Sequence, residues 1–188
     1  MSNGTTSIDK ITTDKFRVSF PSLFVATAAA EGQEKKFGLT MIIPKTADIG
    51  PIKELLKRAI IKKWPDQATR PTKLRNPIRD GDKDESTRPE YAGCWFITAK
   101  NKTKPGLVDQ NLQKIIDTSE FYAGCYARAT LTAFAYDTKG NKGVSLSLQN
   151  VQKLADGEPF SGRARAEDDF GPVATPAGAV SAEEDLLG

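Results

Sequence analysis

The sequence predicts a mainly β protein with one α-helix and a C-terminal tail. Three observations carry this prediction. Short segments alternate apolar and polar residues with the period of two that strands require, and a single segment shows helical spacing instead. Clusters of glycine, proline and aspartate separate these segments, as turns do. A chain of 188 residues, 38% of them apolar, can bury one ordinary core, so we expect one domain of ordinary size.

Two strands are predicted near the N-terminus. Residues 15–20 alternate up to Pro21, and residues 36–43 alternate up to Pro44. Because proline cannot donate to a strand ladder, each proline is expected to interrupt its strand. Residues 28–33 would form the hairpin loop between them. In the first strand, alternation turns one set of apolar side chains toward the core: Phe16, Val18 and Phe20.

One helix is predicted over residues 46–64. Pro51 suits its first turn, and apolar residues recur at helical spacing at Ile52, Leu55, Leu56, Ala59 and Ile60. Lysine and arginine occupy the rest of the helix surface. Such a basic face can lie beside nucleic acid or can simply be solvated, and the sequence leaves both interpretations open.

The longest predicted strand is residues 121–136, followed by a turn-rich hairpin loop at 137–143 and a further strand. The side chains at odd-numbered positions are small or apolar and would face the core: Ala123, Cys125, Ala127, Ala129, Leu131, Ala133 and Ala135. The other parity carries rings, hydroxyls and an arginine: Tyr122, Tyr126, Arg128, Thr130, Thr132, Phe134 and Tyr136. Rings on a polar sheet face can stack on unpaired bases, and arginine can contact phosphate. The alternative is that these rings cover a second core or a subunit interface.

A five-residue motif of the long strand has an earlier counterpart. Residues 91–95, YAGCW, resemble residues 122–126, YAGCY. The match predicts two strands of similar design, each with two rings four residues apart on one face. These rings are Tyr91, Trp95, Tyr122 and Tyr126. The glycine between each pair leaves room for a flat ligand or a neighbouring backbone.

The charge distribution favours a polyanionic partner. The chain has 27 basic and 24 acidic residues, but six of the acids and none of the bases lie in residues 167–188, so residues 1–166 have a net charge of +9. A basic body with an acidic tail indicates polyanion binding that the protein itself moderates. The tip of the tail combines acids with leucines, at Glu183, Glu184, Asp185, Leu186 and Leu187. This tip can be a solvated end, a self-competing segment or a partner-docking peptide.

Two basic segments are candidate phosphate contacts. Residues 65–89 lack a regular pattern and contain several arginines, among them Arg70, Arg75 and Arg79. Lys100, Lys102 and Lys104 alternate after the YAGCW motif and would share one face of a strand. They can form a phosphate track, or they can blunt a solvated edge strand.

The composition excludes several kinds of catalytic and metal site. There is no histidine and there are two cysteines, so a zinc site cannot be completed and the commonest general acid–base group is missing. Residues 80–85 resemble the opening of a calcium loop, but Glu85 and Tyr91 stand where glycine and glutamate are required, so we expect a turn. We therefore predict no catalytic residue, no cofactor and no metal, with a metal-dependent nuclease using the carboxylates near Asp80 as the alternative. Cys94 and Cys125 can pair or remain two small thiols.

Several motifs in fixed order resemble a family of phage-encoded single-stranded DNA-binding proteins. They are NPIRDGD at 76–82, YAG at 91–93, KPGLVD at 104–109, FYAGCY at 121–126 and GNKGVS at 140–145. The resemblance covers residues 14–170. It implies an OB-fold, a five-stranded barrel with one α-helix, long loops and a disordered acidic tail. It also implies a tail that tempers DNA binding and recruits replication proteins. The polar N-terminus and the linker-like composition after Phe170 predict flexible segments at 1–13 and 171–188.

These observations together predict a non-enzymatic protein that binds single-stranded DNA without strong sequence preference. It would act in phage DNA replication, recombination or repair, and a structural or interaction protein is the remaining alternative. Weaker binding of duplex DNA or RNA, and oligomer formation, stay open. No apolar run can cross a bilayer and the N-terminus lacks a signal peptide's apolar core, so we expect no membrane contact and a location in the cytoplasm of the infected bacterial host.

Overall fold

The computed structural model describes residues 9–84, 88–160 and 170–173. The described residues contain eight strands: β1 (Lys10–Thr12), β2 (Phe16–Thr27), β3 (Lys36–Pro44), β4 (Ile78–Asp80), β5 (Cys94–Asn101), β6 (Gly106–Val108), β7 (Tyr126–Thr138) and β8 (Asn141–Ala155). One α-helix, α1 (Gly50–Lys63), follows β3, and short 3₁₀ turns occupy Pro89–Tyr91 and Thr118–Glu120. The mainly β prediction with a single helix is confirmed.

Five strands form a hydrogen-bonded ring in the order β2, β3, β5, β8, β7, with β7 pairing back to β2. Two junctions of the ring are short. β2 and β7 share two residue pairs, and the parallel strands β5 and β8 share two more. The ring is therefore incompletely closed, as in the partly open five-stranded barrel of OB-folds. The short strands β1, β4 and β6 extend it at β7, β5 and β8.

The core fills the ring and continues beneath α1. Strand β7 contributes small side chains that the sequence predicts, since Ala127, Ala129 and Leu131 are at most 2% exposed, and Cys125 directly before the strand is buried with them. Helix α1 buries Ile52, Leu55 and Leu56 in the same cluster. It starts at Gly50, later than predicted, with Pro51 in the first turn as expected. Among the described residues, no helix is long and apolar enough to cross a bilayer.

The tight turn between β7 and β8 also matches the sequence. Thr138 pairs with Asn141, and the two residues between them, Lys139 and Gly140, both have positive φ. Two central residues of positive φ are those of a type I′ hairpin turn, whose twist suits the flanking strands.

Three boundaries differ from the prediction. The strand predicted from 121 begins at Tyr126, because Gly124 takes a φ of 118° and a Cβ there would lie 2.2 Å from the Glu158 carbonyl oxygen. The region 91–93 contains the end of the 3₁₀ turn and a further turn before β5, and it is not strand. The predicted flexible segment 1–13 extends too far, because Lys10–Thr12 pair with β7 and Thr13 is buried.

Strand β2 also differs from the prediction that Pro21 interrupts it and that Phe20 faces the core. It runs through Pro21 to Thr27, with a shift in register between Ser19 and Ser22. An extra residue in a strand reverses the alternation beyond it. Phe20, which was predicted to face the core, is consequently 55% exposed on the outer surface.

Candidate nucleic-acid interface

The outer face of β2, β3 and β5 carries three cross-strand rows of side chains. The first row reads Tyr126, Arg17, Ile42, Phe96 and Arg79, across β7, β2, β3, β5 and β4. The second reads Ser19, Thr40 and Thr98, and the third reads Ser22, Gly38 and Lys100. Along these rows the side chains change from cations that flank the buried Ile42 and Phe96 to hydroxyls and then to a glycine beside a lysine.

An open groove of about 340 Å³, which we call the outer-face groove, covers the second and third rows. Its floor contains Thr40 and Thr98, whose hydroxyl oxygens lie 3.2 Å apart. Its walls come from the β2–β3 hairpin and from two lysines. The lining residues are Phe20, Ser22, Thr27, Ala28, Ala29, Lys36, Gly38, Leu39, Thr40, Thr98 and Lys100.

Phe20 is the aromatic wall of the outer-face groove. Its φ of 45° is unusual for a bulky residue and costs backbone energy of order 1–2 kcal/mol. The Arg88 guanidinium lies 4.4 Å from the centre of its ring. An exposed ring held in a strained conformation beside a cation is a typical feature of a binding site.

Gly38 keeps the floor of the groove low. A Cβ at this position would lie 2.6 Å from the Ala99 carbonyl oxygen and 2.8 Å from Lys100 Cγ. Any side chain at position 38 would therefore displace the backbone of β5 or the lysine that lines the groove.

The rings predicted to share one face in pairs do not do so. Tyr91 is 5% exposed, its ring stacks on Phe96 with centroids 4.8 Å apart, and its hydroxyl lies 2.9 Å from Ser19 Oγ. Trp95 points from the opposite face of β5 and packs against the main core. Because 91–93 is not strand, the spacing of four does not place these two rings together.

Tyr122 and Tyr126 also differ in their surroundings. Tyr122 packs against the main core, and its hydroxyl donates to Asp156 Oδ1 at 2.9 Å and accepts from the Gly157 amide at 3.0 Å. Tyr126 lies at the end of the first outer row, with the Arg17 guanidinium 5.5 Å from its ring centre. Tyr122 is thus a structural anchor, whereas Tyr126 stands beside a cation at the surface.

The three predicted lysines are distributed unevenly. Lys100 lines the outer-face groove. Lys102 forms an ion pair of 3.0 Å with Glu34, and Lys104 lies 5.5 Å from the ring centre of Phe24. Only one lysine of the proposed phosphate track therefore reaches the groove.

The four predicted arginines occupy separate places. Arg70 donates to the Trp64 carbonyl oxygen at 3.1 Å and so helps to end α1. The backbone of Arg75 pairs beside Gly143 of β8, and Arg128 donates to Gln152 at 2.7 Å on the β7–β8 surface. Arg79 belongs to the first outer row, where it lies 5.3 Å from the Phe96 ring centre and pairs with Asp84 at 2.9 Å.

The carboxylates near Asp80 form an internal ion-paired turn, which we call the Lys45 clasp. Lys45 Nζ lies 2.6 Å from both Asp80 and Asp82, and Asp82 also accepts from the Gly93 amide. The hydrogen bonds from Lys45 hold the pKa of each aspartate below its ordinary value, and they raise the pKa of Lys45. The residues that the structure describes contain no cluster of metal-ligating groups. This geometry agrees with the turn, and not a calcium loop, that the sequence predicts near Asp80.

The cysteines are two free thiols, one on each side of the sheet. Cys125 lies in the core, where burial raises the pKa of its thiol to about 11, and Cys94 packs beside the Tyr91–Phe96 stack. No disulfide joins them.

A second aromatic surface continues from the groove. Lys100 pairs with Ser147 of β8, which pairs with Thr132 of β7, so the outer surface passes from β5 to the β7–β8 hairpin. Phe134 follows Thr132 on the same face and is 47% exposed. Its ring lies 6.4 Å from that of Tyr136.

Sequence reasoning missed Phe20, Lys36 and Arg17 as site residues, whereas Arg88 is one of the arginines of the 70–88 loop that were predicted to contact phosphate. Pro21 directly after Phe20 is the signal that could have revealed the bulge, since proline inside a strand is confined to edges and bulges. Phe134 was assigned to the outer parity but not to the site. The tail residues Glu183, Glu184, Asp185, Leu186 and Leu187 lie outside the described residues.

An open ring of five strands with an exposed aromatic and two lysines in an outer groove is an arrangement typical of single-stranded nucleic-acid-binding modules. The comparison with known families agrees. The chain belongs to the family described as Enterobacter phage Enc34, ssDNA-binding protein, whose model matches residues 9–187. Because this is a non-enzymatic family, the nuclease alternative is set aside.

Individual relatives support this membership. The chain is 33% identical over 191 residues to protein p50 of Acyrthosiphon pisum secondary endosymbiont phage 1, covering 95% of this chain and 98% of that protein. It is similar to the structure of the single-stranded DNA-binding protein from bacteriophage Enc34 in complex with ssDNA, with a TM-score of 0.70 and 27% identity over 82% of this chain and 90% of that one. A single-stranded DNA-binding protein encoded by bacteriophage T7 shares the fold at 12% identity, with a TM-score of 0.59 over 83% of this chain and 97% of that one.

Proposed function

We propose that this phage protein binds single-stranded DNA along the outer-face groove, without strong sequence preference. The observation that carries the proposal is the exposed Phe20 ring on the wall of an open groove that Lys36 and Lys100 also line. A ring can stack on any base, and lysines contact phosphates irrespective of sequence. The solved complex of the Enc34 protein with ssDNA supports the same ligand for this chain.

The DNA path would extend beyond the groove at both ends. At one end lie Arg17 and Tyr126 of the first outer row, and the Arg17 guanidinium is 4.3 Å from the Phe160 ring centre. At the other end the surface continues through Ser147 and Thr132 to Phe134. Arg88 beside Phe20 would pair with the phosphate of a nucleotide stacked on that ring.

The Tyr91–Phe96 stack and the Lys45 clasp would support the groove from its side, next to the first outer row. The Tyr91 hydroxyl bonds the hydroxyl of Ser19, the first member of the second outer row. The turn that contains the clasp is bonded to the segment after Tyr91, because the Gly81 amide donates to the Cys94 carbonyl at 2.9 Å. In this account Tyr91, Tyr122 and Trp95 position the fold, and Phe20 replaces them as the stacking residue.

The acidic tail would moderate DNA binding through its charge. The protein would act in phage DNA replication, recombination or repair in the cytoplasm of the infected bacterium, with replication proteins as partners of the tail. The opposite charges of residues 1–166 and 167–188 support the moderating role.

A fluorescence titration with labelled oligonucleotides tests the ligand. Single-stranded DNA, the matching duplex and RNA of the same sequence are compared at several lengths and salt concentrations. We expect the tightest binding to single-stranded DNA, with similar affinities for oligonucleotides of different sequence. Equal or tighter binding of the duplex would contradict the proposal.

A further inference from the structure

A second groove lies on the opposite side of β5 from the outer-face groove. It has a volume of about 420 Å³ and separates α1 from the segment that leads into β4. Its position follows from alternation, because Trp95 points away from the face that carries Phe96, Thr98 and Lys100. We call it the α1 groove. Its floor is apolar and consists of Leu56, Ile60, Leu74, Ile78, Trp95 and Val144.

The rim of the α1 groove is basic. Lys53 and Lys57 line it from successive turns of the helix and are both exposed. The Lys53 ammonium lies 5.8 Å from the Trp95 ring centre, so its charge stands directly above the apolar floor. A ligand that fits must therefore present apolar side chains next to negative charges. The DNA path proposed above does not pass this groove.

One segment of this chain has that chemistry. Residues 183–187, Glu-Glu-Asp-Leu-Leu, place three acids directly before two leucines. We propose that this tip docks into the α1 groove of its own chain, with Leu186 and Leu187 on the apolar floor and the acids against Lys53 and Lys57. The proposal rests on the α1 groove and the tip sequence, and it does not require the proposed DNA path.

The length of the tail permits this docking. Leu186 lies thirteen positions after Val173, the last described residue. These thirteen chain steps span at most about 45 Å when extended and about 20 Å as a flexible coil. A domain of this size has a radius of gyration of about 15 Å, so the tip can reach either side of the molecule.

Photo-crosslinking in the full-length protein tests the proposal without DNA. A benzophenone amino acid replaces Ala182, which leaves the acids and both leucines intact, and crosslinked peptides are identified by mass spectrometry. We expect crosslinks to α1 and to residues 74–78. We also expect them to be lost in Leu186→Ala/Leu187→Ala, and reduced in Lys53→Gln/Lys57→Gln but not in the matched control Lys62→Gln/Lys63→Gln on the same helix.

Other crosslinking results would overturn the proposal. Crosslinks to Lys36, Lys100 or the β2–β3 hairpin would show that the tip occupies the outer-face groove instead. Crosslinks that join isotopically heavy to light chains in a mixture would show docking between copies. Crosslinks at the α1 groove that survive the loss of both leucines would show that the apolar floor is not the anchor. DNA affinity is measured on the same samples, so a failure of this proposal stays separate from a failure of the DNA path.

Discussion

Phe20 is the side chain on which the DNA-binding proposal depends most. We predict that Phe20→Ala weakens single-stranded DNA binding by about 1–3 kcal/mol, the usual value of one base stack. The slope of affinity against salt should not change, because no charge is removed. Fluorescence anisotropy with a labelled oligonucleotide measures both quantities. Val25→Ala is the matched control, since Val25 is 72% exposed on the same strand and does not line the groove. Equal affinity of the two variants would contradict the assignment.

For Tyr122 we predict a loss of stability and no loss of DNA affinity, because its hydroxyl bonds the turn after β8. Tyr122→Phe deletes the hydrogen bonds to Asp156 and Gly157 and should lower the free energy of unfolding by about 1–3 kcal/mol. Urea denaturation measures the loss, and DNA affinity should stay unchanged while the protein is folded. An unchanged unfolding midpoint with weaker DNA binding would return Tyr122 to the interface.

Strands were predicted best where alternation is undisturbed. The small, core-facing residues of β7 were recognised because Ala127, Ala129 and Leu131 repeat every second residue. The two register shifts in the β7–β8 pairing place the extra residue in β8, so the alternation along β7 is kept. The same reasoning failed for β2, because the register shift near Phe20 reverses which side chains face the core. The positive φ of Phe20 also leaves no trace in an alternation pattern. The repeat at 91–95 and 122–126 misled for a related reason. Both segments contain a positive-φ glycine, so they are turns that enter strands.

The sequence was sufficient to predict the kind of ligand but not the position of the candidate site on the fold. Basic residues and rings indicated single-stranded DNA, and Lys100 does line the groove. Which ring faces outward depends on tertiary contacts that a single sequence does not display. Tyr91 illustrates this, since its burial comes from stacking on Phe96 of the strand that follows and from bonding Ser19 of a distant one.

The Lys45 clasp predicts a pH dependence of stability. The pKa values of Asp80 and Asp82 are lowered in the folded protein, chiefly by hydrogen bonds from Lys45. The unfolded chain therefore takes up these protons at a higher pH than the folded chain, and stability falls as pH drops below about 4. In Lys45→Gln the folded pKa values should return toward normal, so the urea midpoint should fall less steeply with acidification. The urea midpoint is measured against pH for wild type, Lys45→Gln and the control Lys62→Gln. If the midpoint falls equally steeply in wild type and Lys45→Gln, the clasp does not contribute to the pH dependence of stability.

The proposed moderating role of the tail predicts an effect of its charge on DNA binding. Deleting residues 171–188 removes Glu183, Glu184 and Asp185 and raises the net charge from +3 to +6. We predict tighter binding of single-stranded DNA at low salt, with the difference shrinking as salt shortens the Debye length to about 10 Å at 0.1 M. Titrations of full-length and shortened protein at matched salt concentrations measure it. Identical affinities at low salt would exclude a moderating tail.

The path of the DNA across the protein is tested most directly by salt dependence. In Lys36→Gln/Lys100→Gln, the slope of log affinity against log salt for single-stranded DNA should decrease by about 1.4, since each phosphate contact contributes about 0.7. Lys62→Gln/Lys63→Gln changes the net charge equally on the last turn of α1 and should leave the slope unchanged. A slope that is unaltered in the first variant, or altered equally in both, would contradict binding along the outer-face groove.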